Sequence, residues 1–182
     1  MIHKTLSQWL CGLLLSLFAS LTLAQLKPGM AAPDFSAPAA LAGQTYSFSL
    51  DAALKKGPVV LYFYPKAFTT GCTIEAKLFA EATDQFAALN ATVIGVSGDD
   101  IATLQKFSLG PCGGKFAVAA DLDRHIMKAY DAALTIKPDM ADRISYVITP
   151  DKKILFMYDS LNPDQHVSKT LQALKSWQNR SK

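Results

Sequence analysis

Val59 to Tyr64 is an unbroken run of apolar, β-branched and aromatic residues, and a run of that kind belongs in a strand buried on both faces, in the middle of a sheet. Pro65 ends it, since proline cannot donate to a strand ladder. Past the turn residues Thr69, Thr70 and Gly71, apolar side chains recur at Ile74, Leu78, Phe79, Ala82, Phe86 and Leu89, close to the helical period. The spacing predicts one long helix with Cys72 at its start. Helix N-termini present unpaired backbone N–H groups and the positive end of the macrodipole, so a thiol there is biased towards its thiolate.

The rest of the chain reads as scaffold around this unit. Leu26 to Ser36 looks irregular and extended, Gly43-Gln44 marks a turn, and Thr45 to Leu50 alternates as a half-exposed strand. Asp51 to Lys56 gives a short helix stopped by Gly57-Pro58. Ala91 to Val96 is a second buried strand, and Ser97 to Asp100 caps a helix carrying Ile101, Leu104 and Phe107 on one face. Gly110-Pro111-Cys112-Gly113-Gly114 breaks that helix before a short strand, Phe116 to Ala120. A helix over Asp121 to Tyr130 and a polar loop through Lys137-Pro138-Asp139 lead to Arg143, directly ahead of a strand from Ile144 to Thr149. Pro150 to Lys153 turns the chain into Ile154 to Tyr158, and a last helix begins with Asn162 as N-cap and Pro163 at its first position. Strands alternating with helices and closed by a hairpin and a helix define a three-layer α/β/α sandwich with a mixed central sheet.

Residues 1–24 differ from the remainder: Lys4 is the one charged side chain, and Leu10 to Leu23 is almost wholly apolar. A short basic stretch, an apolar core and Thr22-Leu23-Ala24 as a small-residue cleavage site make a secretory signal peptide, with Gln25 as the mature start. The alternative is an uncleaved membrane anchor, which ranks lower because the apolar run is shorter than the roughly 18 to 20 residues of a span and no basic stop follows it; no stable membrane insertion is expected after leader removal. The destination is an exported, periplasmic one. Of the 182 residues, 25–182 then form a single domain. Net charge is +3, or +2 once Lys4 is lost, with the cations scattered rather than striped, which argues against a nucleic-acid partner. Cys11 leaves with the leader, so Cys72 and Cys112 remain in an oxidising compartment, an even count that suits a redox couple.

A free cysteine has a pKa of about 8.5, and bringing it to about 6 requires roughly 3.4 kcal/mol of differential stabilisation. A helix end supplies about 0.3 to 1 kcal/mol, so a second positive charge is needed. An arginine suits, because its charge does not titrate away and its forked donors hold an oxygen-rich substrate. Thr69, three residues before Cys72, is close enough across the turn to aim its hydroxyl at the sulfur or at what the sulfur attacks.

Pro65-Lys66-Ala67-Phe68-Thr69-Thr70-Gly71-Cys72 resembles the peroxiredoxin active-site pattern: Pro, three residues, Thr, two residues, Cys. Ala32-Pro33-Asp34-Phe35 resembles the motif near the start of that family's domain, and Arg143 to Ile148 resembles its arginine-bearing strand. The wording YFYPKAFTTGCTIEA is most similar to the peroxiredoxin Q, or bacterioferritin comigratory protein, branch of the AhpC/TSA superfamily. The resemblance implies a thioredoxin-like fold and a thiol-dependent peroxidase acting on hydrogen peroxide and organic hydroperoxides. In it Cys72 is the peroxidatic nucleophile, Thr69 orients the peroxide, Arg143 polarises it and stabilises the thiolate, and Pro65 shields the pocket. The product is a sulfenic acid on Cys72. Many members of the branch carry a second Cys five positions later, where this chain has Lys77; others keep the resolving Cys where Cys112 stands. A thioredoxin-like protein would then reduce the disulfide. No cofactor is implied, and the oligomeric state is left open, a monomer included.

Plainer readings stand beside these. Cys112 as a small buried hydrophobe and Arg143 as a surface ion-pair partner are the ordinary alternatives. Glu75 either supports the site or is a favourable acid in a helix's first turn. His125 and His166 have no ligand set near them in sequence, so exposed surface is the default for both and no metal site is expected. A thiol:disulfide oxidoreductase on the same fold would want Cys-x-x-Cys, and the residue three after Cys72 is Glu75. A non-enzymatic metal or ligand carrier would want a second Cys and a His beside Cys72. Intact mass of the exported protein checks the leader: the mature chain should begin at or near Gln25, and a species retaining Met1 would refute it.

Overall fold

A computed structural model describes residues 26–180, so the leader reading over residues 1–24 lies outside the described residues. The described chain runs β1 (Ser36–Leu41), β2 (Gln44–Ser49), α1 (Leu50–Leu54), β3 (Val59–Phe63), α2 (Thr70–Glu81), α3 (Thr83–Ala87), β4 (Thr92–Ser97) and α4 (Ile101–Leu109). It continues with β5 (Ala117–Ala120), α5 (His125–Ala129), β6 (Ala133–Leu134), β7 (Lys137–Ala141), β8 (Ile144–Ile148), β9 (Ile154–Asp159), a 3-10 turn (Pro163–Gln165) and α6 (His166–Arg180).

Seven strands form one mixed sheet in the order β2-β1-β5-β4-β3-β8-β9, with β6 and β7 as a separate hairpin. The apolar run from Val59 lies at the sheet's heart as expected: every residue of β3 is buried, with β4 parallel on one side and β8 antiparallel on the other. Alternation along β3 feeds two cores. Val59, Leu61 and Phe63 pack on the face covered by α1 and α5, with Ile94, Ile126 and Tyr146. Val60, Tyr62 and Tyr64 pack on the face covered by α2, α4 and α6, with Phe79, Phe107 and Leu174. The three-layer sandwich is therefore the observed architecture.

Four local expectations differ from the structure, each for a physical reason. The predicted single helix after Cys72 is two, parted at Ala82, where the Thr83 hydroxyl bonds back to the carbonyls of Phe79 and Ala80 and competes with the helical ladder. Helix α5 starts at His125 rather than Asp121. The Asp121 carboxylate accepts from the amides of Ile126 and Met127, at 3.1 and 2.8 Å, and so holds the helix start away from itself. Strand β1 is built from small residues and Pro38, which give no alternation to read, yet it joins the sheet through β2 and β5. The loop expected at Lys137-Pro138-Asp139 is β7, paired with the two-residue β6.

Packing over the central strands is close enough to require one glycine. Tyr62 stands opposite Gly95 in the β3–β4 register and stacks on Phe79 at 4.4 Å between ring centroids. A Cβ on Gly95 would lie 2.7 Å from the Tyr62 ring. Gly95→Ala should therefore destabilise the fold by about 1–3 kcal/mol, the usual cost of overpacking, measured as a lowered urea midpoint. Adding Tyr62→Leu should recover part of the loss.

Candidate active site

The turn after β3 is built by short-range bonds that leave its helix start exposed to what the neighbouring strand delivers. Ala67 N–H donates to Asp99 Oδ2 at 2.7 Å, and the Ser97 hydroxyl donates to the same oxygen at 2.8 Å, tying the turn to the end of β4. Phe68 takes a left-handed backbone, φ 64°, and sets its exposed ring edge-on against Phe107 at 5.2 Å. The Thr69 hydroxyl donates to the Lys66 carbonyl at 2.9 Å, so it closes the turn instead of capping α2 or meeting the sulfur. Cys72 is the third residue of α2 and is buried.

Arg143 reaches this helix start because of register. Strand β8 pairs with β3 so that Ile144 lies opposite Phe63, which leaves the preceding residue at the end of β3 where the turn begins. The guanidinium is buried and each of its nitrogens is used. Nη2 donates to Cys72 Sγ at 3.5 Å, Nε donates to the Leu161 carbonyl at 3.0 Å, and Nη1 donates to Glu75 Oε2. Gly71 permits the approach: a Cβ there would stand 3.0 Å from Nη2. Arg143 is thus a buried partner of the thiol, and the surface ion-pair alternative is excluded.

Behind the arginine lies a second tier. Glu75 Oε1 faces His166 Nδ1 at 3.6 Å; the ring bonds Ser145 Oγ at 2.8 Å through Nδ1 and the Ser160 carbonyl at 2.9 Å through Nε2. Burial pushes the Glu75 carboxyl up to about 8, although the Arg143 charge pulls the other way. Burial also pushes His166 down to about 4, and Arg143 adds to the fall. Burial works against the Arg143 charge, but the Glu75 and Cys72 charges outweigh it and hold its pKa above the ordinary value.

His166 was expected on the surface and is instead fully buried. The signal lies in its spacing: His166, Thr170 and Leu174 are four apart and line the inward face of α6. His125 is exposed as expected, but the structure brings it beside Asp121 and Asp123, with one donor atom from each within 4.8 Å of the others. Asp121 is already occupied there by the amides at the start of α5.

Cys112 does not meet Cys72. It lies in the turn between α4 and β5, fully buried in the same core, and both thiols are free. Burial pushes the Cys112 thiol up to about 12. Tyr62 and Tyr64 lie within electrostatic reach of both cysteines. Pro65 lines a cavity of about 590 Å³ with Lys66, Phe68, Asp99, Arg124 and Asp139.

A mixed sheet with a cysteine at the helix start after its central strand, met by a buried arginine from the adjacent strand, is the arrangement of thioredoxin-like peroxiredoxins. The family model of the AhpC/TSA family matches residues 28–157, and the chain belongs to that family. Peroxiredoxin Q of Populus jackii is 30% identical over 162 residues, covering 88% of this chain and 71% of the relative. Peroxiredoxin Q of Oryza sativa subsp. japonica is 31% identical over 149 residues, covering 81% of this chain, which spans 66% of the rice protein. Among solved structures, peroxidoxin BcpB of Mycobacterium tuberculosis superposes with a TM-score of 0.76 at 30% identity, covering 84% of this chain and 98% of that one. A PrxQ cysteine variant of Xylella fastidiosa gives 0.74 at 25% identity, covering 85% and 99%.

Glu75 gives the site a direct test of stability. Glu75→Ala removes the acceptor of a buried charged donor and leaves a void, so it should cost about 2–4 kcal/mol in denaturant unfolding. Glu75→Gln keeps both the volume and an acceptor and should cost less than about 1.5 kcal/mol.

Proposed function

We propose that this chain is a thiol-dependent peroxidase that reduces hydrogen peroxide and organic hydroperoxides at Cys72. The observation that carries the reading is the 3.5 Å contact between Arg143 Nη2 and Cys72 Sγ, made between two buried groups at a helix start. There the positive end of the helix macrodipole and a permanent cation both face the reacting sulfur. The sulfur attacks one peroxide oxygen in line with the O–O bond. An S–O bond forms and the O–O bond breaks, so sulfur loses two electrons to the peroxide. The departing oxygen takes a proton and leaves as water or an alcohol, and Cys72 is left as a sulfenic acid. Arg143 donors stabilise the charge that builds on the peroxide oxygens in this step. The Thr69 hydroxyl, which now donates to Lys66, keeps its lone pairs for the incoming peroxide's O–H. Pro65 forms a wall of the turn that keeps water from the sulfur.

Cys112 resolves the sulfenic acid in this reading, with release of water and formation of a Cys72–Cys112 disulfide. Both thiols are buried, so the step needs local opening. Gly113 and Gly114, with φ of 57° and 68°, sit beside Cys112 and supply a turn that reopens readily. A thioredoxin-like dithiol protein then reduces the disulfide. Residues 1–24 direct the chain to the periplasm, where oxidised thiols persist. The oxidoreductase alternative is weaker because the position where it needs a second cysteine is Glu75, committed to Arg143.

Non-reducing peptide mapping after one equivalent of peroxide tests the scheme. Wild type should give a monomeric Cys72–Cys112 disulfide, Cys72→Ser should consume no peroxide, and Cys112→Ser should stop at sulfenic acid or overoxidise. Arg143→Met should keep the fold and slow peroxide attack by 10²-fold or more, about the loss of one strong charge-stabilising donor. Turnover of Cys112→Ser at the wild-type rate with a thioredoxin-like reductant would make Cys112 core filler and the enzyme a single-cysteine one.

A further inference from the structure

The Leu161 carbonyl that accepts from Arg143 Nε at 3.0 Å belongs to a loop residue that is itself 67% exposed, so packing does little to place it. Hydrogen bonds hold the loop instead. Ser160 N–H donates to the Arg143 carbonyl at 3.2 Å, Asn162 N–H donates to Ser160 Oγ at 3.2 Å, and the Ser160 carbonyl lies 2.9 Å from His166 Nε2. The first of these is made to the backbone of the residue that the loop positions, and the second lies within the loop. The third ties the loop to a separate element, the start of α6.

His166 is built to be a fixed post. Its ring is wholly buried, lies edge-on to Tyr158 of β9 at 4.8 Å between centroids, and meets Ser145 Oγ of β8 at 2.8 Å through Nδ1. The Ser160 carbonyl can only accept, so Nε2 carries a hydrogen whichever charge state the ring adopts. In the neutral ring Nδ1 then keeps its lone pair, and the Ser145 hydroxyl donates to it, which holds the imidazole in the tautomer that the loop needs. At the far end of this chain of bonds the Arg143 guanidinium is a rigid planar fork. Partners at Nη1 and Nη2 alone would leave it free to tilt about the line between them; the Leu161 carbonyl at Nε fixes its plane.

We propose that His166 is a positioning residue for peroxide attack: its Nε2–H holds the Ser160 carbonyl, so that the next carbonyl of the loop, that of Leu161, fixes the Arg143 guanidinium against Cys72. The proposal rests on the peroxidase reading above and deepens it, adding a residue that acts on the sulfur and the peroxide through Arg143.

Nitrogen NMR of the reduced wild type reads the arrangement without turnover. At neutral pH His166 should carry its hydrogen on Nε2 and none on Nδ1. Arg143 Nε should show coupling through the hydrogen bond to the Leu161 carbonyl carbon, told from Arg124 and Arg180 by its loss in Arg143→Lys. His166→Asn, whose amide matches Nδ1 and stops short of Ser160, should lose that coupling and slow peroxide attack about tenfold, the scale of one net hydrogen bond. His166→Gln, whose amide reaches the place of Nε2, should keep the coupling and a rate constant near wild type. In an Arg143→Met background His166→Asn should slow attack no further, because its effect passes through the arginine; a general loosening of the structure would slow both backgrounds alike. A wild-type ring with its hydrogen on Nδ1 alone, no Arg143–Leu161 coupling in wild type, a coupling that survives in His166→Asn, a His166→Gln as slow as His166→Asn, or equal slowing in both backgrounds would each overturn the proposal. The two wild-type readings decide even where His166→Asn does not fold. A wild type that shows both signals yet consumes no peroxide refutes the peroxidase reading and leaves His166 as the holder of Arg143.

Discussion

A guanidinium held out of water against a sulfur is the constraint around which this end of the molecule is organised. Burying a cation costs several kcal/mol unless its donors are met, and here each arginine nitrogen has its own partner: the Cys72 sulfur, the Glu75 carboxyl and the Leu161 carbonyl. The first two come from α2 and the third from the turn before the 3-10 segment. Breaking the β3–β8 register by one residue would turn Arg143 to the other face of the sheet and empty the site. The antiparallel pairing of β8 is therefore as much a part of the site as the cysteine motif.

The same arrangement explains why the turn after β3 is assembled from its own bonds. The sulfur needs a fixed position relative to a cation brought by another strand, and a turn tied at Ala67 to Asp99 and at Thr69 to Lys66 provides it without side chains from the arginine's side. Arg143 passes close over Gly71, which offers no Cβ to hold the guanidinium and the sulfur apart. Phe68 accepts a left-handed backbone to let the chain reverse there, and its contact with Phe107, itself stacked on Tyr64, gives that conformation packing support.

Much of this was legible in the residues because it depends on local pattern. The central strand, the capped helices and the place of Cys72 follow from hydrophobic runs, turn residues and helix-start chemistry. The arginine's role was not readable from its position before a strand; only the β3–β8 register turns Arg143 from an ordinary surface cation into a partner of the sulfur. His166 and Ser145 are polar residues buried among mostly apolar neighbours, and apolar periodicity carries no mark of them. The break at Ala82 and the late start of α5 both arise from a side chain bonding to backbone, Thr83 in one and Asp121 in the other, which overrides the helical period. The identity of those side chains was visible; the bonds they choose were not.

The two cysteines share a core but not an environment, and the difference orders the proposed chemistry. Cys72 has a cation at its sulfur, whereas Cys112 sits among apolar neighbours with its thiol pushed up to about 12. In the folded state the second thiol is buried and unbonded to Cys72, and burial disfavours its thiolate. Exposing the Gly110 to Gly114 turn changes both properties together: the sulfur becomes mobile, and without the burial its pKa returns towards the usual value of about 8.5. In the proposed scheme, resolution is then governed by how often that turn opens. A sulfenic acid formed at Cys72 persists for that interval, in which a second peroxide can overoxidise it. Under that scheme burial of Cys112 exchanges speed of resolution for a well-packed core around Tyr62 and Tyr64, and the glycines on either side of it limit how much speed is lost.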